Sequence, residues 1–209
     1  ILKNGQIQYI QLSECYKNML KDMGYIVTNN GNDDFVLTIK GRVAYKIKGE
    51  VLLTEIFYSG IFNDCSIELM AVLCSCLVGK RKRKNKSSEE EEDKNDFDNQ
   101  FNEKFESMLH IGEFVRDKMF QYAIPFDDTN YIKWNINEAN AKPVYLWATG
   151  KSFREVMNNA YNILSGDFVS IIVDIRSLLT KYSEAAKFLG LKSLSDKFKE
   201  ADIFIQKRI

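Results

Sequence analysis

The segment from Phe168 to Leu189 carries the most regular hydrophobic pattern in the sequence. Its apolar residues recur at alternating steps of four and three: Phe168, Ile172, Ile175, Leu179, Tyr182, Ala186 and Leu189. This spacing places them on one side of an α-helix, and Gly190 is suited to end that helix. A long helix with one continuous apolar stripe needs other helices to cover it. The pattern therefore predicts a helical bundle with this helix at its centre.

Shorter segments with helical periodicity surround the long one, and several carry signals of helix ends. Ser66 is a suitable N-cap residue, and Ser152 followed by Glu155 has the spacing of a capping box. The 45% hydrophobic content of the 209 residues is ample for a packed core. The predicted fold is mainly α. Besides the long helix, helices are expected at 12–23, 52–61, 101–119 and 153–161, and through Leu194, Phe198, Ala201 and Ile205.

The N-terminal segment has a different pattern. An Asn- and Gly-rich turn at 29–34 precedes a predicted strand at 35–39, and Lys40-Gly41-Arg42-Val43-Ala44 leads back into helix. This order indicates a partial winged-helix segment, and the alternative is a small β-hairpin packed on the bundle. We predict that 1–48 forms the end of a stalk and the winged-helix remnant, and that 49–209 forms the helical bundle.

A charged insertion interrupts the predicted bundle at about 80–98. Its first part, from Lys80 to Lys86, is almost entirely basic, and Glu89 to Asp93 is entirely acidic. Such blocks repel themselves and cannot bury apolar surface, so we predict a disordered loop. The basic part fits a nuclear localisation signal, an RNA contact, or one half of a solvated loop whose two halves neutralise each other.

Few residue patterns suggest catalysis, a cofactor or a metal. Gly150-Lys151-Ser152 resembles the end of a phosphate-binding loop, but Tyr145 occupies the place of the leading glycine and the preceding residues look helical. His110 is the only histidine, which leaves a nucleophile without its usual base and makes zinc unexpected. Lys+Arg and Asp+Glu both total 29, which argues against a dedicated polyanion-binding module. We expect no catalytic, cofactor or metal site in this chain.

The sequence also gives indications about its cellular setting. Its longest uncharged apolar run, at 69–79, is well short of the roughly 20 residues that span a membrane. The four cysteines show no framework spacing and suit a reducing compartment. The first residue is Ile1 rather than methionine, so we expect a piece of a longer protein.

Two stretches, from Leu52 to Asp64 and from Val144 to Phe153, each consist of an apolar helix, a Gly-marked turn and a capped second helix. Together with Leu73-Cys74-Ser75-Cys76 and Gly166-Asp167-Phe168-Val169, they resemble the C-terminal helical domain of superfamily-two RNA helicases that feed the exosome. That domain is called DSHCT, and the resemblance is closest to the Mtr branch, the nuclear exosome helicase. The resemblance extends from about Leu12 to Ile209.

This resemblance implies a role for the chain. In the family, two upstream RecA-like domains hold ATP and Mg²⁺, while the winged helix and the bundle complete a ring around single-stranded RNA. The long bundle helix acts as a ratchet along the RNA path. The longer protein would therefore be a nuclear, ATP-dependent, 3′-to-5′ RNA helicase that works with the exosome and adaptor proteins, and this chain would pack on its RecA-like core.

The residues that would face RNA depart from the family pattern. The ratchet helix typically carries arginines, and the matching positions here are Ser170, Val173 and Asp174. Arg176 and Lys181 are basic but lie further along. Asp174 and the zero net charge favour the alternative of a protein-interaction module without RNA contact. Trp147 is predicted to lie in the core. The candidate RNA-binding residues are Arg176, Lys181, Ser170 and Asp174, with Lys151 and Arg154 beside a predicted helix N-terminus.

Overall fold

Helices make up most of the structure, a computed structural model, and one two-stranded sheet is the only β-structure in the described part of the chain. The prediction of a mainly α fold is confirmed. The described residues are 2–28, 34–48, 51–78, 99–126, 129–160 and 163–206, with side chains from Tyr9 onward. The helices are α1 (Leu2–Asp22), α2 (Ile39–Ile47), α3 (Val51–Tyr58), α4 (Ile67–Ser75), α5 (Asn99–Gln121), α6 (Tyr131–Asn135), α7 (Ala141–Ala148), α8 (Phe153–Asn158), α9 (Ser165–Phe188) and α10 (Lys192–Gln206).

The sheet is an antiparallel hairpin of β1 (Ile26–Thr28) and β2 (Phe35–Leu37), in which Ile26 pairs with Leu37. β2 begins at the predicted residue but ends before residue 39, because Thr38 already caps α2. The Thr38 hydroxyl oxygen accepts a hydrogen bond from the backbone N–H of Gly41 at 3.1 Å. Most of the predicted turn, at 29–33, lies outside the described residues.

Helices α9 and α10 form an antiparallel pair and share the most extensive contact between elements in the described structure. Gly190, with a φ of +77°, reverses the chain between them. Inside the pair, the Ser183 and Ser195 hydroxyls each donate to the other residue's backbone oxygen, at 2.9 and 3.0 Å. These small side chains let the two helices approach closely. The predicted long helix is confirmed, with both ends within three residues of the prediction.

Tyr182 on α9 is the centre of an aromatic cluster. Its ring centroid lies 5.4 Å from that of Phe57, 5.3 Å from that of Phe62 and 5.5 Å from that of Phe198. Its buried hydroxyl donates to the backbone oxygen of Leu53 at 3.0 Å, so the polar atom is satisfied. The cluster ties the α9–α10 pair to α3.

Helix α4 lies inside the bundle, and all of its residues from Leu69 onward are buried. Ser66 caps its start as predicted, since its hydroxyl accepts from the Leu69 N–H at 3.2 Å. At the other end, Asn140 donates its amide to the backbone oxygens of Ser75 and Val78, at 3.3 and 3.1 Å. The predicted insertion at 80–98 follows this end and lies outside the described residues.

A partly buried polar cluster attaches the N-terminal segment to the bundle. The Glu55 carboxylate on α3 accepts a hydrogen bond from the Tyr25 hydroxyl at 2.6 Å and pairs with the Lys40 ammonium at 2.6 Å. Lys40 also donates to the backbone oxygen of Met23 at 3.0 Å and lies 4.7 Å from the centroid of the Tyr25 ring. Through this cluster α2 is held against α3 and α9. The division into domains at residue 48 and the winged-helix assignment stay predictions.

Two helices end three residues before the residue that periodicity predicts. Helix α3 ends at Tyr58 rather than at residue 61, because Gly60 has a φ of +76° and turns the chain. Helix α8 ends at Asn158 rather than at residue 161, which lies outside the described residues. Periodicity continues across such ends because apolar residues after a helix can still face the core.

Replacing Gly41 with alanine is expected to destabilise the protein by about 1–3 kcal/mol. A Cβ atom at this position would collide with the backbone oxygen of Tyr25, which cannot move without breaking the contact between α2 and the hairpin. Gly166→Ala is the matched control, because nothing lies within 4 Å of a Cβ there. The control should be neutral or stabilising by up to about 1 kcal/mol. Urea unfolding measures the change in the free energy of unfolding for both variants. An equal change in Gly41→Ala and Gly166→Ala would contradict the close packing of Tyr25 on Gly41.

Tyr25 is expected to make stability depend on alkaline pH. Burial, and then its hydrogen bond to Glu55, raise the pKa of Tyr25 above its usual value. The protonated Tyr25 hydroxyl therefore makes its full contribution to the free energy of unfolding below about pH 10. Above that pH the tyrosine of the unfolded chain ionises, and the contribution is lost as the pH rises further. The difference in unfolding free energy between the natural protein and Tyr25→Phe should therefore narrow as the pH rises from about 10 to about 12. A difference that stays constant over this range would contradict the assignment.

Candidate nucleic-acid interface

The side of α9 opposite its buried stripe faces solvent, and we call it the outward side of α9. Val169 and Val173 there are 41% and 55% exposed. Ser170 and Asp174, both predicted RNA-binding residues, lie beside them and are exposed. The outward side thus presents mainly valines, hydroxyls and carboxylates, with one lysine, Lys187, near its C-terminal end. Its exposed residues are Val169, Ser170, Val173, Asp174, Ser177, Thr180, Glu184 and Lys187.

The two basic residues predicted on this helix lie on opposite edges of the outward side, because five helical positions correspond to about 140° of rotation. The Arg176 guanidinium is bound to α10: its Nε donates to the Asp202 carboxylate at 2.7 Å and its Nη2 to the Gln206 side-chain oxygen at 2.9 Å. Lys181, on the other edge, is half-buried and makes no ion pair with the described residues. The structure therefore separates the two candidates, and Arg176 already serves to fix α10.

Lys151 and Arg154 lie at the start of α8, both exposed. The predicted capping box is present: the Ser152 hydroxyl accepts from the Glu155 N–H at 3.3 Å, and the Glu155 carboxylate accepts from the Ser152 N–H at 2.8 Å. Hydrogen bonds from the Ser152 backbone and side chain lower the pKa of Glu155. The Lys151 ammonium lies 4.0 Å from that carboxylate. This carboxylate occupies the place beside the first N–H groups where a phosphate would bind.

The segment Gly150-Lys151-Ser152 does not have the geometry of a nucleotide-binding loop. The helix α7 precedes it, whereas such a loop follows a strand. The backbone N–H and the hydroxyl of Ser152 are both used within the capping box. Each donates to the Glu155 carboxylate, at 2.8 Å in both cases. The helix, turn and capped helix predicted here are confirmed.

The aromatic residues near this turn divide between core and surface. Trp147 is 5% exposed, and its indole N–H donates to the backbone oxygen of Ile205 at 3.3 Å, so the predicted core position is confirmed. Its ring packs edge-on against Phe153 and Phe168, at 6.4 and 6.0 Å between centroids. Phe153 is 40% exposed. This packing brings the start of α8 beside the first turns of α9.

Three of the four cysteines, Cys65, Cys74 and Cys76, are buried, and Cys15 is half-buried. Burial raises the pKa of the Cys74 and Cys76 thiols, which keeps them protonated. Among the described residues, no group of three or more His, Cys, Asp and Glu side chains is placed to hold a metal ion. In the same part of the chain, no helix combines the length and the apolar character that crossing a membrane requires.

Sequence reasoning missed a basic and aromatic surface on α2. Arg42 and Tyr45 are exposed, and Tyr45 is the more open at 79%. The ammonium of Lys46 lies 5.0 Å from the ring centroid of Phe188, at the end of α9. The available signal was the spacing of Arg42, Tyr45 and Lys46, which stand three and four positions apart on one short helix. The contact with α9 could not be read from it.

Comparison with known protein families matches residues 34–209 to the DSHCT (NUC185) domain. The chain belongs to the DSHCT family. The resemblance that the two Gly-marked helical stretches suggested is thereby confirmed. Gly41 of the Lys-Gly-Arg-Val-Ala segment now has a physical explanation, because in this DSHCT chain the backbone of Tyr25 approaches it too closely for a side chain.

Several relatives of this DSHCT chain are named as RNA helicases. The DExH-box ATP-dependent RNA helicase DExH9 of Arabidopsis thaliana is 29% identical over 187 residues, which cover 88% of this chain and 17% of that protein. The exosome RNA helicase MTR4 of Homo sapiens is 26% identical over 209 residues, covering 96% of this chain and 18% of that protein. The ATP-dependent RNA helicase mtr4 of Schizosaccharomyces pombe is also 26% identical. The chain thus spans less than a fifth of the length of these curated relatives.

Proposed function

We propose that this chain is the noncatalytic C-terminal region of an ATP-dependent 3′-to-5′ RNA helicase that acts in exosome-linked RNA processing, where it forms part of the single-stranded RNA channel. The observation that carries the proposal is the family match over residues 34–209, together with relatives that are named as RNA helicases. The long helix α9 supplies a straight, solvent-facing wall, as a channel requires.

The chemistry of ATP would belong to other parts of the longer protein. The turn at Gly150 does not fit a nucleotide, so ATP and Mg²⁺ are assigned to RecA-like domains outside this chain. The chain's own contribution would be to pack on that core and to present α9 and α2 toward the RNA. Exosome subunits and adaptor proteins are the proposed partners, and the nucleus is the proposed location, both by analogy with the relatives.

A second candidate function is a protein-interaction module that does not touch RNA. The outward side of α9 favours it, since Val169 and Val173 are exposed there and Asp174 would repel phosphates. Arg176, which a phosphate would need, is bound to Asp202. The RNA contacts predicted from the sequence stay predictions under both candidates. They are Lys151, Arg154, Ser170, Asp174, Arg176 and Lys181.

Photo-crosslinking separates the two candidates. The full-length natural protein is irradiated with single-stranded RNA that contains 4-thiouridine, and the crosslinked peptides are identified by mass spectrometry. The proposal expects crosslinks on α9 or on the elements beside it, in addition to those on the RecA-like core. Matched irradiation with double-stranded RNA is the control and should give far fewer crosslinks in this chain. Crosslinks confined to residues outside this chain would favour the interaction module.

A further inference from the structure

Helix α2 presents a basic and aromatic face to solvent. Arg42, Tyr45 and Lys46 stand three and four positions apart, so they share one side of the helix. The adjoining side is buried, with Val43 and Ile47 packed in the core against α3 and α9, and Lys46 is half-buried at its border. Since the apolar side fixes how α2 is rotated, the basic and aromatic side cannot turn inward. Its exposure is a consequence of the packing.

The end of α9 extends this face. Phe188 is 41% exposed, and the Lys46 ammonium lies over its ring at 5.0 Å. Lys181 lies two helical turns earlier on the same edge of α9, the edge that α2 contacts through Lys46 and Phe188. Two exposed carboxylates lie in this region: Glu184 on the intervening turn, and Asp174 two turns before Lys181 on the same edge. We name the set Arg42, Tyr45, Lys46, Lys181 and Phe188 the α2–α9 patch.

We propose that the α2–α9 patch binds single-stranded RNA, with phosphates on its three cations and bases stacked on Tyr45 and Phe188. This proposal rests on the proposed function and names the residues that carry RNA contact. Cations interleaved with exposed rings are what single-strand recognition uses, because every base offers a face for stacking and every linkage offers a charge. Neither ring of the patch has a stacking partner among the described aromatic residues that would compete with a base.

The patch also resolves the difficulty posed by the outward side of α9. Arg176 is bound to α10, and the exposed Lys187 lies near the C-terminal end of the helix, away from the rest of that side. The α2–α9 patch lies along the other edge of the same helix, at Lys181. RNA that follows α9 would therefore be held from the α2 edge. A carboxylate-rich protein segment would match the charges but would make little use of a tyrosine that is 79% exposed.

The test measures the affinity of the full-length natural protein for a short fluorescein-labelled oligouridine by anisotropy, at several salt concentrations and without nucleotide. Two cations are removed in Arg42→Ala with Lys46→Ala, and one ring is removed in Tyr45→Ala. The matched control is Lys21→Ala with Lys133→Ala, which removes two exposed lysines from α1 and α6. Thermal unfolding verifies that each variant is folded.

The double cation variant should lower the slope of log affinity against log salt by about 1.4, since each phosphate contact on a single strand contributes about 0.7. Tyr45→Ala should weaken binding at least about fivefold and leave the slope unchanged. The control should match the natural protein. Unchanged RNA affinity in both patch variants would overturn the proposal that the patch binds RNA. That result would leave an acidic protein segment as the alternative partner of the patch. If the 4-thiouridine RNA still crosslinks to other parts of this chain when the patch variants bind normally, the proposed function stands and only the patch is wrong. If those crosslinks are absent as well, the proposed function fails too.

Discussion

The burial of one side of α9 is the constraint on which the rest of this structure depends. The stripe that begins at Phe168 and passes through Tyr182 must be covered, and α10, α2 and α4 cover it, with α3 contacting Tyr182. The reciprocal hydrogen bonds between Ser183 and Ser195 fix the register of α10 on α9. Once that register is set, the outward side of α9 is determined, and so is the edge on which Arg176 meets Asp202.

The placement of α2 follows from the same constraint through a second set of contacts. The Tyr182 cluster fixes α3, which carries Glu55. The Glu55 carboxylate accepts a hydrogen bond from Tyr25 and forms an ion pair with Lys40. Gly41 lets the hairpin backbone approach α2 without a collision. Together these contacts lay α2 beside the end of α9, so that two helices far apart in sequence share one solvent-facing surface. The functional question then becomes which edge of α9 contacts RNA, and the pairing of Arg176 with Asp202 on the other edge favours the α2 edge.

Local patterns predicted the elements well and their mutual contacts poorly. The alternating spacing predicted α9 to within three residues, and the Ser152 capping box predicted the start of α8, because both depend only on neighbouring residues. The Arg176–Asp202 pair and the Asn140 cap of α4 join segments distant in sequence, so no local pattern contains them. Arg176 was predicted as an RNA contact for its charge alone, and its partner on α10 was invisible from the sequence.

The central claim is that α9, with α2 beside it, borders a path for single-stranded RNA. The most direct measurement is a structure of the full-length natural protein with single-stranded RNA bound, determined by electron cryo-microscopy. The account predicts that the RNA runs along α9 within contact distance, nearer the Lys181 edge than the Arg176 edge. The account would be contradicted if the outward side of α9 and the exposed face of α2 were covered by protein while the RNA passed elsewhere.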